Sequence, residues 1–398
     1  MDKIQRLFLR ALSCALKKEY LSEAPSLSPE EWDALFRLAQ EQKVLPLVFE
    51  SLCRLPEVRE LPLFLPLKRH VVGQVMLQTR KTAEFRRVLD ALLAAGLQPL
   101  VVKGLVCRSL YPLPDHRPSS DEDLLIPRSQ FQKCHEVLTG LGLTTDGDPG
   151  SSDYELPYRQ AEGPLFIELH RSLFPPGSEA YGSLNRFFTD AHRNSLMIDG
   201  VPTLAHTDHL FYLICHAFKH FLHSGFGIRQ VCDILLFGEA YRENIQWDLL
   251  RKNCRSIRAD KFTAAIFAMG RKHLGIDIGF FDSSVDEMPM LLDLLDSGIY
   301  GGATMSRVHS SSITLKAVSA GKSAGSRANS LLVSLFPNAG ALEGRYPYLK
   351  KYPWLLPAAW TSRMAGYLKE TRTHNSPTEA LKIGNERVEL LKYYQILP

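Results

Sequence analysis

The chain has few cysteines, and none of them lie close together. The seven are spread so widely that no two have the short spacing of paired zinc ligands. Their odd number and wide separation also argue against a disulfide framework, and we interpret them as reduced, buried thiols. Reduced thiols are typical of proteins inside the cell. We therefore expect a cytoplasmic protein.

Long apolar runs are also missing. No stretch approaches the roughly 20 apolar residues of a membrane-spanning helix, so we expect no membrane partner. A formal net charge of +4 on 398 residues is too small to indicate a nucleic-acid partner by itself. A phosphate-binding P-loop is excluded, because Gly321-Lys322-Ser323 has Lys316 where that motif needs its first glycine.

The most informative stretch runs from residue 98 to residue 126. It begins with a buried-strand pattern that ends at Lys103-Gly104, and it closes with Asp121-Glu122-Asp123 before an apolar run. Because side chains alternate faces along a strand, Asp121 and Asp123 point to one side and Glu122 to the other. Two carboxylates on one edge are costly unless a cation lies between them. Magnesium, which binds one or two carboxylates together with substrate phosphates, is the usual cation in such a place.

A third carboxylate lies on a later strand pattern. Residues 165–170, with the sequence Leu-Phe-Ile-Glu-Leu-His, alternate between apolar and polar, as half-buried strands do. Glu168 and His170 share the polar face of that strand. If it lies beside the strand with Asp121 and Asp123, three carboxylates and an imidazole meet. Two Mg²⁺ ions held there could clamp a triphosphate for an in-line displacement.

In this order, the turn, the Asp-x-Asp strand and the later strand carboxylate resemble the DNA polymerase beta-like nucleotidyltransferase superfamily. Within it, the sequence is similar to one bacterial family of uncharacterised nucleotidyltransferases. The similar pieces are Lys103-Gly104, Tyr111, Arg117, the stretch 121–126, Leu141-Gly142 and the stretch 167–170. The resemblance implies Mg²⁺-dependent transfer of an NMP group from an NTP, with ATP expected, to an unknown hydroxyl acceptor on a small molecule, an RNA or a protein.

The resemblance also implies roles for individual residues. Asp121 and Asp123 would bind the metal, and Glu168 would act as a third ligand or as the base for the acceptor hydroxyl. Backbone N–H groups at Gly104 would approach the triphosphate. Leu105 follows where the superfamily usually has a second small residue, so the grip on phosphate is expected to come from other side chains. The candidates for this grip are Lys103, Arg117, Ser119 and Ser120.

Each piece also has a simpler explanation. An Asp-x-Asp sequence is often a solvated strand start, and Lys-Gly is often an ordinary turn; only the combination favours a nucleotidyltransferase. Three alternatives stay open. The chain could be a catalytically degenerate protein that binds nucleotide or scaffolds a partner. It could be a toxin–antitoxin-type adenylyltransferase, or a small-molecule kinase that releases NDP instead of pyrophosphate.

The patterns predict an α+β fold, with a small mixed-sheet nucleotidyltransferase core flanked by helical N- and C-terminal regions. We predict an N-terminal helical region over 1–65, the core over 66–200, a helical domain over 201–297, and a flexible linker with a C-terminal helical tail over 298–398. In the helical domain, Lys219 is a cation that could close over the triphosphate. Asp233 needs a partner there, for which Arg229, one turn earlier, is the candidate.

Local signals predict several elements. Ser28, followed by proline and two acids, predicts the start of a helix over 29–53. A long helix over 66–95 should lead into a strand over 98–102. Strands over 154–160 and 165–170 should form a hairpin, because a short Gly-Pro turn joins them.

Overall fold

The structure, a computed structural model, describes residues 1–150, 153–178, 180–223, 225–297, 356 and 386–397. One compact unit consists of residues 1–219 and 226–299, and another of residues 220–225 and 300–398. The predicted linker and most of the predicted C-terminal tail, including Gly321-Lys322-Ser323, lie outside the described residues. All residues of the site discussed below belong to the first unit. The boundaries of the four predicted regions stay a prediction.

Helices build the N-terminal part of the first unit. They are α1 (Lys3–Leu16), α2 (Pro29–Glu41), α3 (Leu45–Leu52), α4 (Pro56–Arg59) and α5 (Phe64–Ala94). Ser28 caps α2 as predicted, since its hydroxyl accepts from the N–H of Glu31, whose side chain accepts in return from the N–H of Ser28. The predicted single helix over 29–53 is wrong. Lys43 adopts a left-handed conformation (φ 57°) just after α2, and Pro46 opens the first turn of α3.

A five-stranded sheet forms the core. Its strands are β1 (Leu100–Val101), β2 (Glu122–Leu125), β3 (Leu143–Thr144), β4 (Glu155–Gln160) and β5 (Phe166–His170). The order across the sheet is β1-β2-β5-β4-β3; β2 and β5 run parallel, and the other neighbours run antiparallel. The expected pairing of the Asp-x-Asp strand with the Glu-x-His strand is confirmed, with Asp123 opposite Glu168. The mixed sheet with helices on both sides of it in sequence confirms the α+β class.

Two short helices pack against the sheet. α6 (Gly104–Ser109) packs on β1 and β2, and α7 (Phe131–Gly140) packs on β3. Ile167 and Leu169 are fully buried on one face of β5. Because successive strand residues alternate, Glu168 and His170 must lie on the opposite face, where the site forms.

Further elements follow the sheet. They are β6 (Leu196–Ile198), β7 (Val201–Thr203), α8 (His206–His223), α9 (Ile228–Ala240), α10 (Trp247–Ser256), α11 (Asp260–Met269) and α12 (Met288–Ser297). The sequence patterns did not predict the β6–β7 hairpin, whose three-residue strands are too short to show a period, or α12. Over the described ranges, no helix combines the length and apolar character that a bilayer crossing requires.

Candidate active site

Asp121 and Asp123 both face the side chain of Lys103. The Nζ atom of Lys103 lies 2.8 Å from Oδ2 of Asp123 and 3.7 Å from Oδ2 of Asp121. Lys103 follows β1, and the antiparallel pairing of β1 with β2 brings it beside the start of β2. The cation that these two carboxylates need is thus supplied by the chain itself, between the two residues expected to bind metal.

A second cluster on the same face contains Asp123, Glu168 and His170, whose possible ligand atoms all lie within 4.8 Å of one another. The Nε2 atom of His170 is 3.1 Å from Oδ1 of Asp123 and 3.7 Å from Oε2 of Glu168. The parallel register places Asp123 opposite Glu168, and His170 lies two residues further along the same strand face. Asp121 stands apart from this cluster and contacts Lys103 instead.

The electrostatic surroundings shift the pKa values of Asp123 and Glu168 in opposite directions. Burial by itself raises the pKa of Asp123, but Lys103 and His170 outweigh it and hold that pKa below its ordinary range. Burial, together with repulsion from Asp123 and Asp121, raises the pKa of Glu168 to about 7. A carboxylate with a lowered pKa beside one with a raised pKa suits metal binding and proton transfer.

Glu122 points away from Asp121 and Asp123, as predicted, and holds the turn at Gly104. Its carboxylate is buried, forms an ion pair with Arg108 and accepts a hydrogen bond of 3.0 Å from the N–H of Leu105. Gly104 has a φ of 32°, and a Cβ there would overlap Oε2 of Glu122. The turn therefore needs glycine. The N–H of Leu105, next to the expected phosphate-binding position at Gly104, is already bonded to Glu122.

Arg117, expected at the phosphates, forms a buried bidentate ion pair with Asp233 of α9. Its Nε donates to Oδ1 at 2.8 Å and its Nη2 donates to Oδ2 at 2.6 Å. The hydroxyl of Tyr111 also donates to Oδ1, at 2.8 Å. Arg229, predicted as the partner of Asp233, acts on it only at longer range, and its guanidinium donates to the carbonyl of Pro118. The Arg117–Asp233 ion pair links the loop before β2 to α9.

A polar cavity of about 30 Å³ borders Lys103, Arg117 and Arg229. Although Arg117 is buried, its Nη1 has no hydrogen-bond partner among the described residues, and the same holds for Nε of Arg229. The other lining residues are Gly104, Ser119, Asp121, Leu213, His216, Gln230 and Asp233. Asp121 and Asp233 offset two of the three cationic side chains, and the remaining positive charge with the unpartnered Nη1 and Nε atoms suits an anionic group of a ligand.

The chain matches a known protein family. The sequence model of a family described as "Uncharacterised nucleotidyltransferase" matches residues 28–275. The chain belongs to this nucleotidyltransferase family. The matched residues include every side chain placed at the site above, and the family confirms the expected transferase class. Comparison with curated proteins and with solved structures gave no match.

The two serines expected at the phosphates of this nucleotidyltransferase are engaged within the chain. The hydroxyl of Ser119 donates to Oε1 of Glu122 at 3.1 Å, so it joins the network behind β2, although the residue also borders the polar cavity. The hydroxyl of Ser120 donates to Oδ1 of Asp121 at 3.0 Å and so helps to orient that carboxylate.

Lys219 and Glu155 complete the surroundings of the nucleotidyltransferase site. The Nζ of Lys219, on α8, lies 3.5 Å from the hydroxyl of Tyr154, and burial lowers the pKa of this lysine.

Oε2 of Glu155 lies 3.5 Å from Nδ1 of His170. Glu155 was not anticipated from the sequence, although a signal was present. The short turn of the predicted β4–β5 hairpin fixes a register in which Glu155 pairs with His170.

Proposed function

We propose that the protein transfers an NMP group from an NTP, with ATP as the first candidate, to a hydroxyl acceptor in a Mg²⁺-dependent reaction that releases pyrophosphate. The observation that carries the proposal is the meeting of Asp123 and Glu168 on one face of the β2–β5 pair, with Lys103 between Asp123 and Asp121 beside them. Membership of a nucleotidyltransferase family supports the same reaction class.

The clustered residues fit a divalent metal in both donor chemistry and position. Asp123 and Glu168 each offer a carboxylate oxygen within 4.8 Å of the other, and Lys103 and His170 keep Asp123 ionised although it is buried. Carboxylate oxygens are the ligands that Mg²⁺ prefers. A Mg²⁺ ion bound there would supply positive charge to the triphosphate oxygens and the departing pyrophosphate.

The side chains would divide the remaining tasks. Glu168, at the edge of the cluster and partly exposed, would take the proton of the acceptor hydroxyl. The acceptor oxygen then bonds to the α-phosphorus while the bond from that phosphorus to the bridging oxygen breaks. Pyrophosphate leaves with the electron pair of the broken bond.

The cationic side chains would hold the triphosphate. Lys103 borders the polar cavity and would contact phosphate oxygens from there. Nη1 of Arg117 and Nε of Arg229 border the same polar cavity and have no hydrogen-bond partner in the described part of the chain. We assign them to the terminal phosphate.

Transfer from labelled ATP tests this function. With a cell extract as the source of acceptor, label in the α-phosphate should reach the acceptor, label in the γ-phosphate should not, and pyrophosphate should appear in step. Asp123→Asn should abolish both signals because it removes charge that holds the metal. Asp90→Asn, at an exposed position of α5, should retain both. Transfer of the γ-label would instead indicate a kinase.

A second candidate function is nucleotide binding without catalysis. The observation that favours it is Lys103, whose ammonium already neutralises the paired carboxylates of Asp121 and Asp123. Calorimetry with ATP separates the two functions. A non-catalytic binder of this kind should bind ATP equally well in EDTA and in Mg²⁺ and release no pyrophosphate, whereas the proposed enzyme should need the metal for binding.

A further inference from the structure

His170 is placed to contact a metal directly. Its side chain is buried, and its Nε2 faces the same point as the carboxylates of Asp123 and Glu168, at 3.1 Å and 3.7 Å. One nitrogen and two carboxylates within 4.8 Å of one another form three corners of a coordination site. Imidazole is a ligand for first-row transition ions and not for Mg²⁺, whose ligands are oxygen atoms.

The other ring nitrogen of His170 has the environment of a metal-bound histidine. Nδ1 lies 3.5 Å from Oε2 of Glu155 and has no hydrogen-bond partner in the described ranges. A metal-ligating histidine almost always directs its second N–H to a carboxylate or carbonyl, which fixes the tautomer and strengthens the ligand. In the metal-free chain Nε2 donates a hydrogen bond of 3.1 Å to Oδ1 of the ionised Asp123. A metal ion would replace that proton, and Nδ1, which faces Glu155, is the ring nitrogen that can carry a proton instead.

The charges around Asp123 leave room for one cation, on the His170 side. Lys103 takes the Oδ2 side of Asp123 and also contacts Asp121, so it neutralises the half of the site where a second metal was expected. The Oδ1 side faces His170, and among the described residues no lysine or arginine forms an ion pair with Glu168. Lys103 and Lys219 act on Glu168 only at longer range, so they do not fully compensate its repulsion with Asp123.

We propose that Asp123, Glu168 and His170 bind a single divalent ion with His170 as a nitrogen ligand, and that the site therefore prefers a first-row transition ion such as Mn²⁺ over Mg²⁺. The inference rests on the proposed function for the presence of a metal, and it changes the identity of the ion without changing the reaction. Glu155 acts as a positioning residue that holds the imidazole in its metal-binding tautomer.

Mn²⁺ binding to the metal-stripped full-length chain tests the inference without any turnover. Pulsed electron paramagnetic resonance of the Mn²⁺-loaded protein should show coupling to a directly bound imidazole nitrogen. His170→Gln should remove that coupling and weaken Mn²⁺ binding at least about tenfold, with a much smaller effect on Mg²⁺. His70→Gln, at an exposed position of α5, should leave both properties unchanged.

Glu155→Gln provides a second variant that keeps all three ligands. It should retain the nitrogen coupling while weakening Mn²⁺ binding by about tenfold or more, as loss of a supporting carboxylate does in other metal sites. Bound Mn²⁺ without nitrogen coupling, or equal loss of Mn²⁺ and Mg²⁺ affinity in His170→Gln, overturns the inference. If pyrophosphate release from ATP persists in that case, the proposed nucleotidyl transfer is retained and only the metal inference is rejected. Nitrogen coupling in a chain that never releases pyrophosphate supports the metal site and rejects the enzyme.

Discussion

The ammonium of Lys103 lies 2.8 Å from Oδ2 of Asp123 inside the protein, where neither charge is well solvated. Burial disfavours the charged form of Lys103, but Asp123 and Asp121 outweigh it and raise its pKa well above the ordinary value. The two residues therefore keep each other ionised. A metal or a phosphate group that enters the site must compete with this pair.

Removing the lysine should make the stability of the protein depend on metal. Lys103→Met leaves the buried charge of Asp123 without its main partner, so the free energy of unfolding in EDTA should fall by about 3 kcal/mol. Saturating Mn²⁺ should restore most of that loss, since it supplies the missing charge. Urea unfolding with and without metal measures the effect, and Lys68→Met, at an exposed position, is the control. An equal loss in both conditions would contradict the expectation.

The Arg117–Asp233 pair should behave as one energetic unit. Arg117→Met or Asp233→Leu alone leaves an unpaired buried charge, and each should cost about 3–5 kcal/mol of unfolding free energy. The double variant replaces both charges with apolar groups and should lose less than the sum of the two single losses by at least about 2 kcal/mol. A double-mutant cycle from urea denaturation measures this coupling. Additive losses would show that the two side chains do not depend on each other.

Gly104 should tolerate no side chain. Gly104→Ala places a Cβ against the carboxylate of Glu122 on a backbone with φ of 32°, and we expect a loss of about 1–3 kcal/mol in unfolding free energy. Gly73→Ala is the matched control, because Gly73 lies within α5 and a Cβ added there would meet nothing within 4 Å. That change should stabilise the protein by up to about 1 kcal/mol. Thermal unfolding of both variants compares them, and equal shifts would contradict the role of the turn.

Ionisation of Glu168 should lower the free energy of unfolding of the metal-free protein. An unfolded glutamate titrates near about 4.3, whereas burial and the neighbouring acids raise the folded pKa to about 7. Between these values the folded state holds a proton that the unfolded state has lost, so stability falls as pH rises through this range and levels off above it. With the side chain 27% exposed, we expect a loss of about 2 kcal/mol.

Glu168→Gln checks the sign of this effect. The variant should match the wild type at pH 4.5 and be more stable than it at pH 8, both measured in EDTA by urea unfolding. Glu162→Gln, at an exposed position, should show no such difference. A Glu168→Gln variant that is less stable at pH 8 would mean that the carboxylate makes a favourable contact in the folded state.

Strand periodicity predicted much of the site from the sequence. The alternation along residues 121–126 and 165–170 placed Asp121 and Asp123 opposite Glu122, and it put Glu168 and His170 on one face. These relationships depend only on a two-residue period, so they needed no knowledge of distant contacts.

Contacts between distant parts of the chain could not be predicted from periodicity. The partner of Asp233 was sought one turn away at Arg229, but Arg117 reaches it from the loop before β2. Lys103 was expected to bind phosphate, and no local pattern indicates that its ammonium lies between two carboxylates. The first contact depends on how the loop before β2 packs on α9, and the second depends on the pairing of β1 with β2.

The register of β2 against β5 divides the chain into parts that can vary in length and parts that cannot. Asp123 and Glu168 meet because one residue of β2 pairs with one residue of β5. A shift of a single residue within either strand would turn its side chain to the wrong face. Residues added between the strands, at the β3–β4 connection for example, would leave that pairing unchanged. Relatives of this protein can therefore carry insertions there while they retain the same chemistry.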